Sequence, residues 1–201
     1  MTSTEFTAVI LAADRNPHDP LVQASNACCK ALVEVDGIPM LQRVISALQR
    51  SECVGDILLS GPAREQLASN AFLESALNKR QINWLAPQNS PSSSAYQAMQ
   101  HLPANSPVLL TTADHPLLSA EIVDYFLGNA LQTGADLAVG VISFSAITEK
   151  FPHAKKTVTR LRDGGYCGCN LFAFLTPQSR RVAAAWRRVE QQRKNPLRII
   201  S

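Results

Sequence analysis

Residues 107–118, PVLLTTADHPLL, decide how this chain is read. Val108, Leu109 and Leu110 form the short continuous apolar run of a strand buried on both faces, and Thr111 and Thr112 favour extended backbone. Polarity then changes abruptly at Asp114 and His115, and Pro116 cannot continue a sheet ladder. Ser119, ahead of Ala120, Glu121 and Ile122, is an N-cap opening a helix over 120–131. Asp114 therefore falls just past the carboxyl end of a central strand, the edge at which open α/β sheets bind ligands. A carboxylate there is a hard oxygen donor suited to Mg²⁺, and Asp is also an ordinary turn residue.

Working outward, the chain alternates strand-like and helix-like segments. Residues 7–11 (TAVIL) read as a buried strand, followed by a long polar loop over 12–30. An extended piece at 32–35 and the turn Asp36-Gly37-Ile38-Pro39 lead into a helix over 40–49, whose apolar positions 40, 41, 44, 45 and 48 share one face. A strand at 55–60, a helix at 63–79 and a strand at 82–85 follow. The loop APQNSPSSS feeds a helix over 94–100, which leads to the central strand. Beyond it come a strand at 135–143 and an antiparallel hairpin, 158–162 and 167–174, turning at Asp163-Gly164-Gly165. Pro177 opens a final helix over 178–194. This alternation implies an α/β domain of three layers, with a doubly wound mixed sheet that is mostly parallel.

Composition sets the outer bounds. A chain of 201 residues with 46% apolar side chains can bury one substantial core. No run reaches the length of a membrane span, and MTSTEF lacks the features of a signal peptide, so a cytoplasmic location is expected. Five cysteines, an odd number, favour reduced thiols over a disulfide framework. Residues 177–201 carry seven basic side chains against Glu190, a balance of +6, which leaves −3 on the rest. The mildly acidic body offers no footprint for nucleic acid. Along the final helix Val182, Ala185, Trp186 and Val189 follow helical spacing, so this face is expected to pack on the sheet with the arginines solvated. The alternative is a weak membrane-surface contact, since an Arg-rich face beside Trp and aliphatic residues suits anionic lipid. The stop at LRIIS, apolar and uncapped, reads as an ending from which a longer tail is missing.

TAVILAADR at 7–15, Lys30 with ALVEVDGIPMLQRVISAL at 31–48, TTADHPLL at 111–118 and GCNLFAF at 168–174 together resemble the nucleotidyltransferases of the GT-A-like, nucleotide-diphospho-sugar transferase-like fold. The likeness is nearest to the molybdenum-cofactor guanylyltransferase-like branch and covers residues 7 to about 176. It implies a nucleotidyltransferase domain at 1–176 with a basic helix at 177–201. The implied activity is a Mg²⁺-dependent transfer of an NMP group from an NTP to a small phosphorylated acceptor, releasing pyrophosphate.

In the family a glycine-rich loop after the first strand wraps the nucleotide. Leu11, Ala12 and Ala13 match its start, but Asp14 stands where the first glycine belongs and Arg15 follows it. Glycine lets backbone N–H groups approach phosphates, whereas an acidic side chain is expected to repel them; Arg15 would compensate with a guanidinium fork. The resemblance assigns Lys30, preceded by Cys29 rather than Pro, to neutralising the α or β phosphate; otherwise it is a solvated surface lysine. Ser92, Ser93 and Ser94 fall where the family contacts base or ribose, and they would serve equally as a helix cap. Asp114 matches the metal-binding aspartate. His115, Gly165 and Asn170 fall on the acceptor side.

No second acidic metal ligand is evident. Together with Asp14, that motivates an alternative: a catalytically impaired nucleotide-binding regulator on the same fold. A zinc site built from Cys28, Cys29, Cys167, Cys169 and His115 is a further alternative, disfavoured by the absence of C-x-x-C spacing.

Overall fold

The computed structural model of the protein describes residues 5–14 and 18–193, the last three by backbone alone. The strands in chain order are β1 (Phe6–Leu11), β2 (Glu34–Val35), β3 (Ile38–Pro39), β4 (Val54–Ser60), β5 (Asn83–Leu85), β6 (Val108–Thr112), β7 (Leu137–Ser143), β8 (Thr159–Leu161) and β9 (Gly164–Phe174). The helices are α1 (Pro20–Gln23), α2 (Met40–Arg50), α3 (Arg64–Leu67), α4 (Ala71–Asn78), α5 (Pro91–His101), α6 (Ala120–Gln132), α7 (Phe144–Lys150) and α8 (Arg180–Arg193). The principal sheet runs β5-β4-β1-β6-β9-β7, with β8 paired to β9. Strands β5, β4, β1 and β6 are mutually parallel, and β9 is antiparallel to both β6 and β7. A separate hairpin joins β2 to β3 through Asp36 (φ 53°) and Gly37 (φ 71°), the positive angles that a two-residue primed turn requires.

The central strands read as unbroken apolar runs because both of their faces are buried. On one face Ala8 and Ile10 of β1 pack with Leu41, Val44, Ile45 and Leu48 of α2 and with Val123 and Leu127 of α6. On the other, Val9, Leu58, Val108 and Leu110 pack with Ala95, Ala98 and Met99 of α5. Every apolar position predicted for α2 is buried.

Several boundaries differ from the sequence reading, each through a local cap. The helix expected over 63–79 is two, because the Asn70 side chain accepts from Leu73 N–H and starts α4 afresh. The helix expected at 94 begins at Pro91, capped by Ser90, which accepts from Ser93 N–H. The polar loop after β1 contains α1, capped by Asp19, and α7 follows β7 directly on a Ser143 cap. Leu161 pairs with Gly164, so the late hairpin turns on Arg162 and Asp163 alone.

The orientation of α8 is the largest correction. Its expected packing face points outward: Val182, Trp186 and Val189 are 45%, 39% and 54% exposed, and Ala185 is exposed too. Buried instead is Ala183, against the α5 side of the sheet. The cause is polar. Arg180 donates to the carbonyls of Met99 (2.9 Å), Leu102 (3.1 Å), Pro103 (2.6 Å) and Ser106 (2.8 Å), closing the carboxyl end of α5. About two turns further on, the Arg187 guanidinium sits 4.2 Å from the centroid of the Tyr96 ring, and Glu190 accepts from Ser92 N–H at the start of α5 (3.3 Å). A cation thus sits at the negative end of the α5 dipole and an anion at its positive end, a pairing that favours antiparallel docking with the charged face inward.

Arg180→Ala should therefore destabilise the fold by about 1.5–3 kcal/mol in denaturant unfolding, the scale of hydrogen bonds to a charged group. Arg180→Lys should recover little of this, because an ammonium cannot fork across four carbonyls.

Candidate active site

Beyond the carboxyl ends of β1 and β6 the chain stays paired for one more residue on each side. Ala12 N–H donates to Ser60 O (2.9 Å), and Ala113 N–H donates to Leu11 O (3.0 Å). The strand order reverses here: from β1 the chain moves out through β4 and β5, then returns to β6 through α5, which covers the face opposite α2. This reversal is the topological switch point of a doubly wound sheet. It opens a cleft of about 940 Å³ whose walls include Leu11, Ala12, Ala13, Asp14, Lys30, Ser94, Asp114 and Asn170.

Lys30 organises the charged end of that cleft. It begins a 3-10 turn, Lys30–Leu32, anchored by buried Cys29, Ala31 and Leu32. Its Nζ lies 2.7 Å from Asp114 Oδ2 and 4.0 Å from Asp19 Oδ2. Its backbone N–H donates to both carboxylate oxygens of Asp14, at 3.0 and 3.2 Å. Asp14, the residue in the glycine position, thereby ties the end of β1 to a turn sixteen residues on. Arg15 lies outside the described residues.

The electrostatics follow from this geometry. Burial pushes the Asp114 carboxyl up, but the hydrogen bond and charge of Lys30 outweigh it, and the group is held below its ordinary value. Burial pushes the Cys29 thiol up to about 12, leaving it a neutral core side chain. His115 is half-buried; its Nδ1 is buried without a hydrogen-bond partner among the described residues, and burial lowers its pKa. Neither His115 nor Gly165, which pairs with Arg160 in the β8–β9 hairpin, lies on the cleft wall.

The opposite wall is the loop 86–90 and the first turn of α5. Ser94 Oγ accepts from Gln88 N–H (2.9 Å) and faces the cleft. Ser92 is buried beside Ser90, and Ser93 faces a second groove on the far side of the loop. Gln88, Asn89, Ser60 and Glu190 also line the cleft and were not identified from the sequence. The Ser60 hydroxyl is buried with no partner among the described residues, a donor that a ligand could satisfy. Its position as the last residue of the second parallel strand was the only signal that could have found it.

Asn170 reaches the wall through a break in pairing. Strand β9 pairs Phe172 with Val139 and Gly168 with Val141, so three residues of β9 span the single Gly140. Asn170 takes a φ of 53° at this bulge and is exposed to the cleft. Gly140 makes room, since a Cβ there would meet Leu171 Cβ at 3.1 Å.

Among the described residues no group of three or more His, Cys, Asp or Glu side chains is placed to hold a metal, so the zinc alternative has no site, and all five cysteines are free thiols. At the charged end Asp114 and Asp19 both approach the Lys30 ammonium while Asp14 is engaged by the Lys30 N–H, which leaves one or two carboxylates for a cation. That fits the habit of Mg²⁺, which takes one or two carboxylates and fills its shell with substrate phosphate oxygens and water.

The profile of the MobA-like NTP transferase domain matches residues 8–198. The bifunctional protein GlmU of Pseudoalteromonas atlantica is 27% identical over 136 residues, which is 67% of this chain and 27% of that one; the chain thus spans about a quarter of this curated relative. A hypothetical transferase from Thermus thermophilus is 27% identical with a TM-score of 0.72, covering 96% of this chain and 75% of that one. The 4-diphosphocytidyl-2C-methyl-D-erythritol synthase of Anaerococcus prevotii, 17% identical with a TM-score of 0.62, covers 94% and 76% and shares the fold.

Two outcomes test this geometry. In Lys30→Met the Asp114 carboxyl should titrate at higher pH than in the wild type, because the main interaction opposing burial is then gone; carboxyl-carbon NMR reads this directly. Asn170→Val should cost about 1–2 kcal/mol in unfolding free energy and Asn170→Gly little, because only the β-branched residue resists the left-handed region.

Proposed function

The chain belongs to the MobA-like NTP transferase domain family, and on that premise we propose that it moves a nucleoside monophosphate from an NTP to a small phosphorylated acceptor. The observation that carries this reading is the 2.7 Å contact between Lys30 and Asp114 in the cleft at the switch point. It places one cation and one anion side by side where a triphosphate and its counter-ion would sit.

In this reading Leu11, Ala12 and Ala13 form the floor under the nucleotide and Lys30 meets its phosphates, a role the resemblance also gives to Arg15. Ser92, Ser93 and Ser94 open the helix on the base or ribose side, and of the three Ser94 is nearest to hand. Asp14 does not confront the phosphates as a free charge, because its carboxylate is engaged by the Lys30 N–H. An arriving triphosphate competes with Asp114 for the Lys30 ammonium, so nucleotide binding and release of the Asp114 carboxylate are coupled. Asp114 would then hold Mg²⁺, which when bound withdraws charge from the phosphate oxygens.

The acceptor enters from the side of Asn170, the one of the three acceptor-side candidates that lines the cleft. Its phosphate oxygen attacks the α-phosphorus in line, the new O–P bond forming as the bond to the β-phosphate oxygen breaks, and pyrophosphate carries away the electron pair. Positioning and charge neutralisation suffice for such a transfer, with no covalent enzyme intermediate. The family relation supports an enzyme; a nucleotide-binding regulator would share the cleft and lack the turnover.

Pyrophosphate release with ATP, CTP, GTP and UTP against a panel of phosphorylated acceptors should find a productive pair, and nucleotide binding without release from any pair would favour the regulator. Asp114→Asn should lower metal-dependent turnover by about a hundredfold or more while leaving the unfolding transition in place. Lys30→Ala should weaken NTP binding by about tenfold to a hundredfold, as expected for loss of a hydrogen bond from a charged group, and acceptor binding much less.

A further inference from the structure

Helix α8 is amphipathic in the reverse sense. Arg180, Ala183, Arg187 and Glu190 recur on the face that meets α5, while Val182, Ala185, Trp186 and Val189 form an exposed stripe on the outer side. At about 100° per residue the stripe covers roughly a third of the helix circumference, and Arg181 and Arg188, both exposed, run along one of its edges. Rotation to bury the stripe is opposed by the contacts at both ends of α5, since it would strip Arg180 from four carbonyls and Glu190 from Ser92. A tryptophan with aliphatic neighbours and a border of exposed arginines, Arg181 and Arg188, is the composition of a helix that lies in the headgroup region of an anionic bilayer. No helix among the described residues is long and apolar enough to cross a membrane, so contact through this helix would be in the plane of the surface.

We propose that the outer face of α8 docks on an anionic phospholipid surface, with Trp186, Val182 and Val189 inserted at the headgroup level and Arg181 and Arg188 against lipid phosphates. A second copy of the chain is the weaker occupant, because pairing two such stripes would bring the arginine borders together. Arg187 and Glu190 are turned to α5, so lipid binding would leave the nucleotide cleft intact.

The test is sedimentation of the full chain with phosphatidylcholine vesicles with and without phosphatidylserine, at low and high salt, with Trp186 emission as a second readout. Two arginines near a charged surface predict partitioning on the order of tenfold to thirtyfold greater on the anionic vesicles. High salt should remove the preference, and Trp186 emission should shift to shorter wavelength on binding. Both W186S/V189S and R181Q/R188Q should abolish the preference while keeping the wild-type unfolding transition, since all four residues are exposed. Equal binding to both vesicles, absence of binding, or an anionic preference unchanged in both variants overturns the proposal. So does a concentration-dependent dimer that W186S/V189S dissolves.

Discussion

The parallel pairing of β1 with β6 is the constraint from which the site follows. It joins a strand near the amino end of the chain to one a hundred residues later, and it sets Leu11 beside Thr112 in register. From β1 the chain runs outward through β4 and β5 and returns to β6 by way of α5, on the opposite face from α2, so the strand order reverses between β1 and β6 and the cleft opens beyond that point. Lys30 reaches Asp114 across that cleft with its backbone tied to the end of β1 by Asp14 and its turn seated by buried Cys29, Ala31 and Leu32. The Asp14 carboxylate thus acts as a side-chain tether between the end of β1 and the Lys30 turn. This explains how a loop of unusual length still delivers its lysine to the cleft.

Helix α5 is the second hub. Its first turn carries the serines of the far wall, its apolar side completes one half of the core, and its two ends determine how α8 docks. Arg180 and Glu190, which look like solvated decoration in the sequence, are spent on the termini of another helix. An apolar stripe that would ordinarily be buried is left outside as a result. Orientation of a peripheral helix is therefore decided here by dipole and hydrogen bond, against the hydrophobic pattern.

Much of the fold could be read from local pattern. The runs at 7–11 and 108–112 and the face of α2 obey simple periodicities, and the parallel sheet follows from their alternation. Asp114 and Lys30 were identifiable because a polarity switch at a strand end and a resemblance of ordered motifs point to them. Ser60, Gln88, Asn89 and Glu190 were not, because their place on the cleft depends on which strands neighbour one another and on where α8 lies. The split at Asn70 and the start at Pro91 were missed for a smaller reason: a single side-chain cap competes with continued periodicity, and the cap won. The rotation of α8 was illegible because the partner of Arg180 is a set of backbone carbonyls that only the folded chain brings together.

The central claim is that one cleft at the switch point takes the nucleotide between the β1 loop, the start of α5 and the loop after β6. Hydrogen–deuterium exchange with and without a saturating Mg²⁺–NTP, chosen by thermal shift from the four common nucleotides, tests it most directly. The account predicts slowed exchange in the segments around 11–14, 30–32, 86–94 and 112–115, with the β8–β9 hairpin and α7 unchanged. Protection confined to other segments, or none with a nucleotide that demonstrably binds, would contradict it.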